Sequence, residues 1–191
     1  MSQPRDTKPR PGDALLIIDV QNDFLPGGSL AVPDGDAIIV PLNSVIARFQ
    51  EAGLPIFATR DWHPANHCSF IDNGGTWPVH CVRGTAGAVF TPALALPSNT
   101  VIISKDVEPE TNSYSGFAET TLQEQLRRQQ IVRLFVGGLA TDYCVLNTVK
   151  DALAAGFQVL VIEEAIRAVN VHPEDGLRAI AVMRDLGARL I

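Results

Sequence analysis

Val136-Gly137-Gly138-Leu139-Ala140-Thr141-Asp142-Tyr143-Cys144-Val145 is the stretch on which the reading of this chain turns. The apolar run over residues 131–136 meets two glycines, and helical spacing begins a few residues later, which predicts strand, tight turn, helix. Cys144 then falls in the first turn of that helix. There a thiol faces the positive end of the helix dipole and a set of unpaired backbone N–H groups, which lower its pKa and offer an anion site beside it. Those are the conditions of a nucleophilic cysteine. A cysteine at such a junction can equally fill space between helix and sheet, so the rest of the chain has to decide between the two.

Working outward, the same alternation recurs. Residues 14–18 are an unbroken apolar run of the kind a strand covered on both faces shows, and Asp19 closes it. Ile38, Leu42, Val45, Ile46 and Phe49 follow at helical spacing, with Pro41 lying early in that helix or restarting it, and Gly53 ending it. Residues 54–59 make a second strand, followed directly by Arg60 and Asp61. Residues 101–103 make a third, ending in Ser104 and Lys105. Leu122 and Leu126 mark a helix on which Glu124 pairs with Arg128. Beyond the central stretch, residues 157–162 form a fifth strand. His172-Pro173-Glu174 opens a last helix with Ala179, Ile180, Met183 and Leu186 facing inward, and residues 188–191 form a short final strand. The order predicts a three-layer α/β domain over residues 14–191, with a mostly parallel six-stranded sheet in Rossmann-like order and helices on both faces. Residues 1–13, with their three prolines, read as a loosely draped tail.

Composition narrows the partners. Fifteen basic against twenty-one acidic residues give a net charge of −6, which argues against nucleic acid and anionic membrane as partners. Three cysteines, Cys68, Cys81 and Cys144, are too few and too odd in number for a disulfide framework, so a reducing cytoplasm fits. No apolar stretch has the length of a membrane span.

In parallel sheets ligands bind outside the carboxyl ends of the strands. Asp19, Asp61, Lys105 and Cys144 all follow strands, so the fold would gather them on one rim. Taken singly, Asp19 could cap a turn and Asp61 or Lys105 could be solvated. Together, an ammonium that favours thiolate and a carboxylate that takes and returns a proton make a coherent device beside a thiol. A second cluster, Asp61-x-His63-x-x-x-His67 with His80 after Trp77-Pro78-Val79, holds the ligand types of Zn, Fe or Mn. On spacing alone these histidines could as well lie on the surface. The chain carries no Walker loop and no Gly-x-Gly-x-x-Gly.

The motifs Ile18-Asp19-Val20-Gln21-Asn22-Asp23-Phe24, Asp61-Trp62-His63-Pro64, Trp77-Pro78-Val79-His80-Cys81, Ser104-Lys105, Tyr114-Ser115-Gly116-Phe117 and Gly137 to Val145 resemble those of the nicotinamidases among the isochorismatase-like cysteine hydrolases. The resemblance implies hydrolysis of nicotinamide to nicotinate and ammonia through a thioester, in NAD salvage, with pyrazinamide as a further substrate. It implies a catalytic triad of Asp19, Lys105 and Cys144, and a cis peptide between Leu139 and Ala140 that aims the N–H groups of Ala140 and Cys144 at one oxyanion. It implies one divalent metal ion, zinc ahead of iron or manganese, on Asp61, His63 and His80, with His67 as a variable fourth ligand. Phe24, Trp77 and Tyr114 would form the substrate pocket, and a homo-oligomer is expected. Lys105-Asp106 departs from the glycine that many relatives carry after the lysine. The alternatives are hydrolysis of another small amide or ureido compound, or a non-catalytic small-molecule binding module on the same scaffold.

Overall fold

A computed structural model describes residues 7–191. Its strands are β1 (Asp13–Ile18), β2 (Ile56–Asp61), β3 (Val101–Lys105), β4 (Arg133–Leu139), β5 (Gln158–Arg167) and β6 (Arg189–Leu190). Its α-helices are α1 (Ile39–Glu51), α2 (Leu122–Arg128), α3 (Leu146–Ala154) and α4 (Asp175–Asp185). All strand pairings are parallel, in the order β3-β2-β1-β4-β5-β6. The chain steps outward from β1 to β3 and then returns to β4 on the other side of β1. The strand order therefore reverses between β1 and β4, which is where an open α/β sheet leaves its ligand crevice.

Every residue of β1 is buried, and its side chains alternate between two cores. Leu15 and Ile17 pack with Leu42, Val45, Ile46 and Phe49 of α1, whereas Leu16 and Ile18 pack with Leu122, Val149 and Met183 of the other three helices. One helix thus covers one face and three cover the other. Truncating one of these β1 side chains to alanine would cost roughly 2–5 kcal/mol. The Glu124–Arg128 pair forms at 2.6 Å, and Pro41 occupies the first turn of α1, as expected.

Several expectations need correction. Gly137 and Gly138 are not the turn but part of β4, which runs to Leu139. Gly138 has φ +131°, and a Cβ there would lie 2.0 Å from the carbonyl oxygen of Ile18, so glycine is required by how closely β4 passes β1. The change of direction comes one residue later, at the cis peptide Leu139–Ala140, and continues into a π-helical turn, Thr141–Val145, ahead of α3. β5 extends to Arg167, five residues past the apolar run that announced it. α4 begins at Asp175, so Pro173 lies outside it, and Leu186 is half exposed instead of facing inward. Of the expected tail, residues 1–6 lie outside the described residues. Lys8 and Gly12 are tied to the start of β4, through Arg133 Nη2 to the Lys8 carbonyl at 3.2 Å and the Val132 N–H to the Gly12 carbonyl at 2.8 Å.

Candidate active site

The rim formed by the ends of β1 to β4 gathers the residues singled out above. Asp19 directly follows β1 and Lys105 ends β3. Cys144 sits in the π-turn after β4 and Asp61 is the last residue of β2. Lys105 is the hub. Its Nζ lies 3.1 Å from Asp19 Oδ2, is in direct contact with Asp61 Oδ1, and lies 3.5 Å from Cys144 Sγ. Ligating atoms of Asp19, Asp61 and Cys144 lie within 4.8 Å of one another. Asp19 holds φ +48°, a left-handed conformation that aspartate tolerates better than most residues, and its Oδ1 accepts the Thr59 hydroxyl at 2.6 Å. Apart from the Lys105 ion pair, Asp19 Oδ2 has no hydrogen-bond partner among the described residues.

All four groups are buried, so each charge is dictated by its neighbours. Burial opposes the Lys105 charge, but Asp19, Asp61 and Cys144 outweigh it and hold the amine well above the usual lysine range. For Asp61 burial is likewise overcome, by Lys105 and then the adjacent histidines, and its carboxyl stays well below the usual carboxylate range. Burial dominates at Asp19 and raises it. The two carboxylates on one ammonium are therefore differentiated: Asp61 keeps its charge and Asp19 is the one disposed to take a proton. At Cys144 burial raises the thiol well above its ordinary value, with Lys105 offsetting only part of this. That corrects the expectation of a lowered cysteine pKa. A thiol in such surroundings calls for a neighbouring base to take its proton.

On the other side of Asp61 lie two histidines. His63 Nε2 is 3.7 Å and His80 Nε2 4.0 Å from Asp61 Oδ2, and the three ligating atoms lie within 4.8 Å of one another. His80 Nδ1 is 2.8 Å from the Pro78 carbonyl, and His63 Nδ1 is 3.4 Å from the Asp106 carbonyl. Donation from Nδ1 to a carbonyl leaves the Nε2 lone pairs facing one point, which is how metal-ligating histidines are oriented. Burial also lowers the His80 pKa, favouring the neutral, ligating form. Two nitrogens and a carboxylate oxygen fit a divalent metal with open positions. His67 does not join this group. Its ring stacks on His63 at 4.0 Å, but Nδ1 engages the Ser69 hydroxyl at 2.7 Å and Nε2 the Thr111 carbonyl at 2.5 Å.

Beside the cluster a cavity enclosing about 380 Å³ of space, mouth included, is lined by Phe24, Trp77, Leu139, Ala140, Tyr143 and Val169 and reaches Asp61, His80 and Cys144. Phe24 and Trp77 are lining residues, as expected. Tyr114 is not; it stands behind the wall, accepting the Trp77 Nε1–H at 3.0 Å and packing on Tyr143 at 5.2 Å. Tyr143 was missed, because only the π-turn reveals that the residue before the cysteine faces the cavity. Phe70, whose ring lies 5.6, 5.6 and 5.5 Å from those of His63, His67 and His80, was also missed; nothing in its spacing marked it. The Ala140 N–H has no acceptor among the described residues.

Comparison with known proteins finds relatives over nearly the whole chain. A family model, the isochorismatase domain, matches residues 13–191. The nicotinamidase of Escherichia coli is 40% identical, over 94% of this chain and 94% of its own. The crystal structure of the pyrazinamidase of Pyrococcus horikoshii in complex with zinc superposes with a TM-score of 0.91 at 46% identity, covering 95% of this chain and 99% of that one. PnC1 from L. infantum, solved in complex with nicotinate, gives 0.87 at 38% identity, covering 95% and 92%. With the matched model spanning nearly its whole length, this chain belongs to the isochorismatase domain family.

Proposed function

We propose that the chain is a nicotinamidase, a cysteine amidohydrolase that converts nicotinamide to nicotinate and ammonia. One observation carries the reading: a buried thiol, a buried carboxylate with a raised pKa and an ammonium meet within a few ångströms, and the cavity that Cys144 lines is also lined by Asp61 and His80 of the Asp61, His63 and His80 cluster.

Asp19 takes the thiol proton of Cys144, and the ammonium of Lys105 stabilises the charge left on sulfur. The sulfur attacks the carboxamide carbon. The N–H groups of Ala140 and Cys144 receive the developing oxyanion, at roughly 3 kcal/mol for each well-placed donor. When the tetrahedral intermediate collapses, the C–N bond breaks and Asp19 hands its proton to the departing ammonia. Asp19 then draws a proton from water as the water oxygen attacks the thioester carbonyl. The C–S bond breaks, the thiol is restored and nicotinate leaves. Asp61, His63 and His80 would hold a divalent ion, zinc by the chemistry of two imidazoles and one carboxylate, and that ion would supply a Lewis-acid anchor for the ring nitrogen. Phe24, Trp77 and Tyr143 would clamp the ring between apolar faces.

Ammonia release from nicotinamide, with and without a chelator, tests the proposal. Release that falls on chelation and returns with zinc supports it. No release from the zinc-loaded protein would refute it and favour hydrolysis of a different small amide or a binding role.

A further inference from the structure

The loop after β1 carries two side chains that the chemistry above does not use. Gln21 is fully buried. Its Nε2 donates to the carbonyl oxygens of Asp61 at 2.8 Å and Ala88 at 2.9 Å, and its Oε1 accepts the Asp61 N–H at 2.8 Å. Both backbone polar groups of Asp61 are thus held by a single side-chain amide. Two residues on, Asp23 Oδ2 accepts the N–H of Cys81, the residue after His80, at 2.7 Å. The Cys81 carbonyl in turn accepts the His63 N–H at 3.1 Å, and the His63 carbonyl accepts the Arg83 N–H at 2.9 Å. The carboxylate is confined from behind as well, since a Cβ on Gly87 would lie 2.1 Å from Asp23 Oδ2.

These bonds tie the backbones that present Asp61 and His63, at the end of β2, and His80, from the loop beyond it, to one short loop. We infer that Gln21 and Asp23 are positioning residues that set the spacing of the Asp61, His63 and His80 donor atoms and thereby the affinity of this site for a divalent cation. The inference rests on the metal centre in the functional reading. Asp61 is the sensitive point, because its Oδ1 serves Lys105 while its Oδ2 faces the histidines. A rotation of its backbone would displace both. Loss of such outer hydrogen bonds to ligating residues commonly weakens metal binding 10- to 100-fold.

The test is zinc affinity, read by competition with a chromophoric chelator, alongside thermal melts of the metal-free proteins. Gln21→Met keeps length and bulk but no hydrogen bond, and it should bind zinc about 10- to 100-fold more weakly while still melting cooperatively. Asp23→Ala should weaken zinc in the same direction and serves if the Gln21 variant does not fold. Asp23→Asn, whose side-chain oxygen still accepts the Cys81 N–H, should recover near wild-type affinity, a rescue that a general loss of stability would not show. Folded variants that keep wild-type zinc affinity would overturn the inference and leave the functional reading intact. Weakened zinc binding supports the inference even if nicotinamide is not hydrolysed, so the two readings fail separately.

Discussion

Asp19→Asn is the substitution that probes the proposed chemistry most selectively. The amide keeps the shape of the carboxylate, and its oxygen can still accept the Thr59 hydroxyl that now sits 2.6 Å from Oδ1. What disappears is the acceptor at Oδ2, which faces Lys105 at 3.1 Å and belongs to the cluster with Cys144. An NH2 group would stand there instead, a donor beside an ammonium and a thiol. Both halves of the reaction would lose their base, because the same oxygen is needed for the thiol and again for water. General acid–base transfer contributes about 10²- to 10⁴-fold, so the barrier should rise by about 2.7–5.4 kcal/mol at roughly 1.36 kcal/mol per decade. The fold should persist, since Lys105 retains Asp61 and the substitution removes a carboxylate whose burial opposes its charge. The assay is steady-state ammonia release from nicotinamide, with zinc content and melting temperature measured on the same samples. A variant that melts normally, holds its zinc and turns over within tenfold of wild type would refute the assignment of Asp19 as the base.

Other expectations follow from single contacts. Gly138→Ala should destabilise the protein by roughly 2–6 kcal/mol in denaturant titrations, because the new methyl meets the Ile18 carbonyl in a backbone conformation that alanine resists; a change below 1 kcal/mol would show that β1 and β4 can separate there. Burial lifts the Asp106 carboxyl to about 6, with Lys105 only partly opposing. A raised carboxyl favours the folded state below its unfolded pKa, and that contribution is lost as pH rises from about 4 through about 6, so Asp106→Asn should gain up to roughly 3 kcal/mol on wild type across this window. Asparagine suits the φ of +51° at that position, and a stability difference that stays flat with pH in metal-free protein would contradict the prediction. His67→Gln should leave one zinc bound with affinity reduced less than tenfold, whereas His63→Gln should reduce it by far more than a lost outer contact would, beyond about 100-fold; equal losses would make His67 a ligand after all.

The sequence made much of this visible because the signals were local and repeated. Short apolar runs, each closed by a charged or polar residue, marked β1, β2 and β3 and placed Asp19, Asp61 and Lys105 on one rim, although β3 proves to be an edge strand with Ile102 exposed and not a buried one. The Leu42-Val45-Ile46-Phe49 stripe marked α1 just as directly. What stayed hidden depends on contacts distant in the chain. The two glycines before Leu139 look like a turn, and only the close pass of β1 explains why they lie inside a strand. The raised Cys144 pKa could not be foreseen from a helix N-terminus, because burial outweighs any local dipole at a group this enclosed. His67 has a plausible ligand spacing, yet Thr111, forty-four residues away, occupies its second nitrogen. Tyr143 escaped notice for a related reason: a π-turn, unlike the expected α-helical first turn, leaves no periodic trace in five residues.

The central claim is that the sulfur of Cys144 is the nucleophile in a metal-assisted amide hydrolysis. Ammonia release from nicotinamide by Cys144→Ala, loaded with zinc and shown by its melting curve to be folded, tests it most directly. Full zinc binding with no turnover above the uncatalysed background is expected. Ammonia release near the wild-type rate would contradict it and transfer the chemistry to another group.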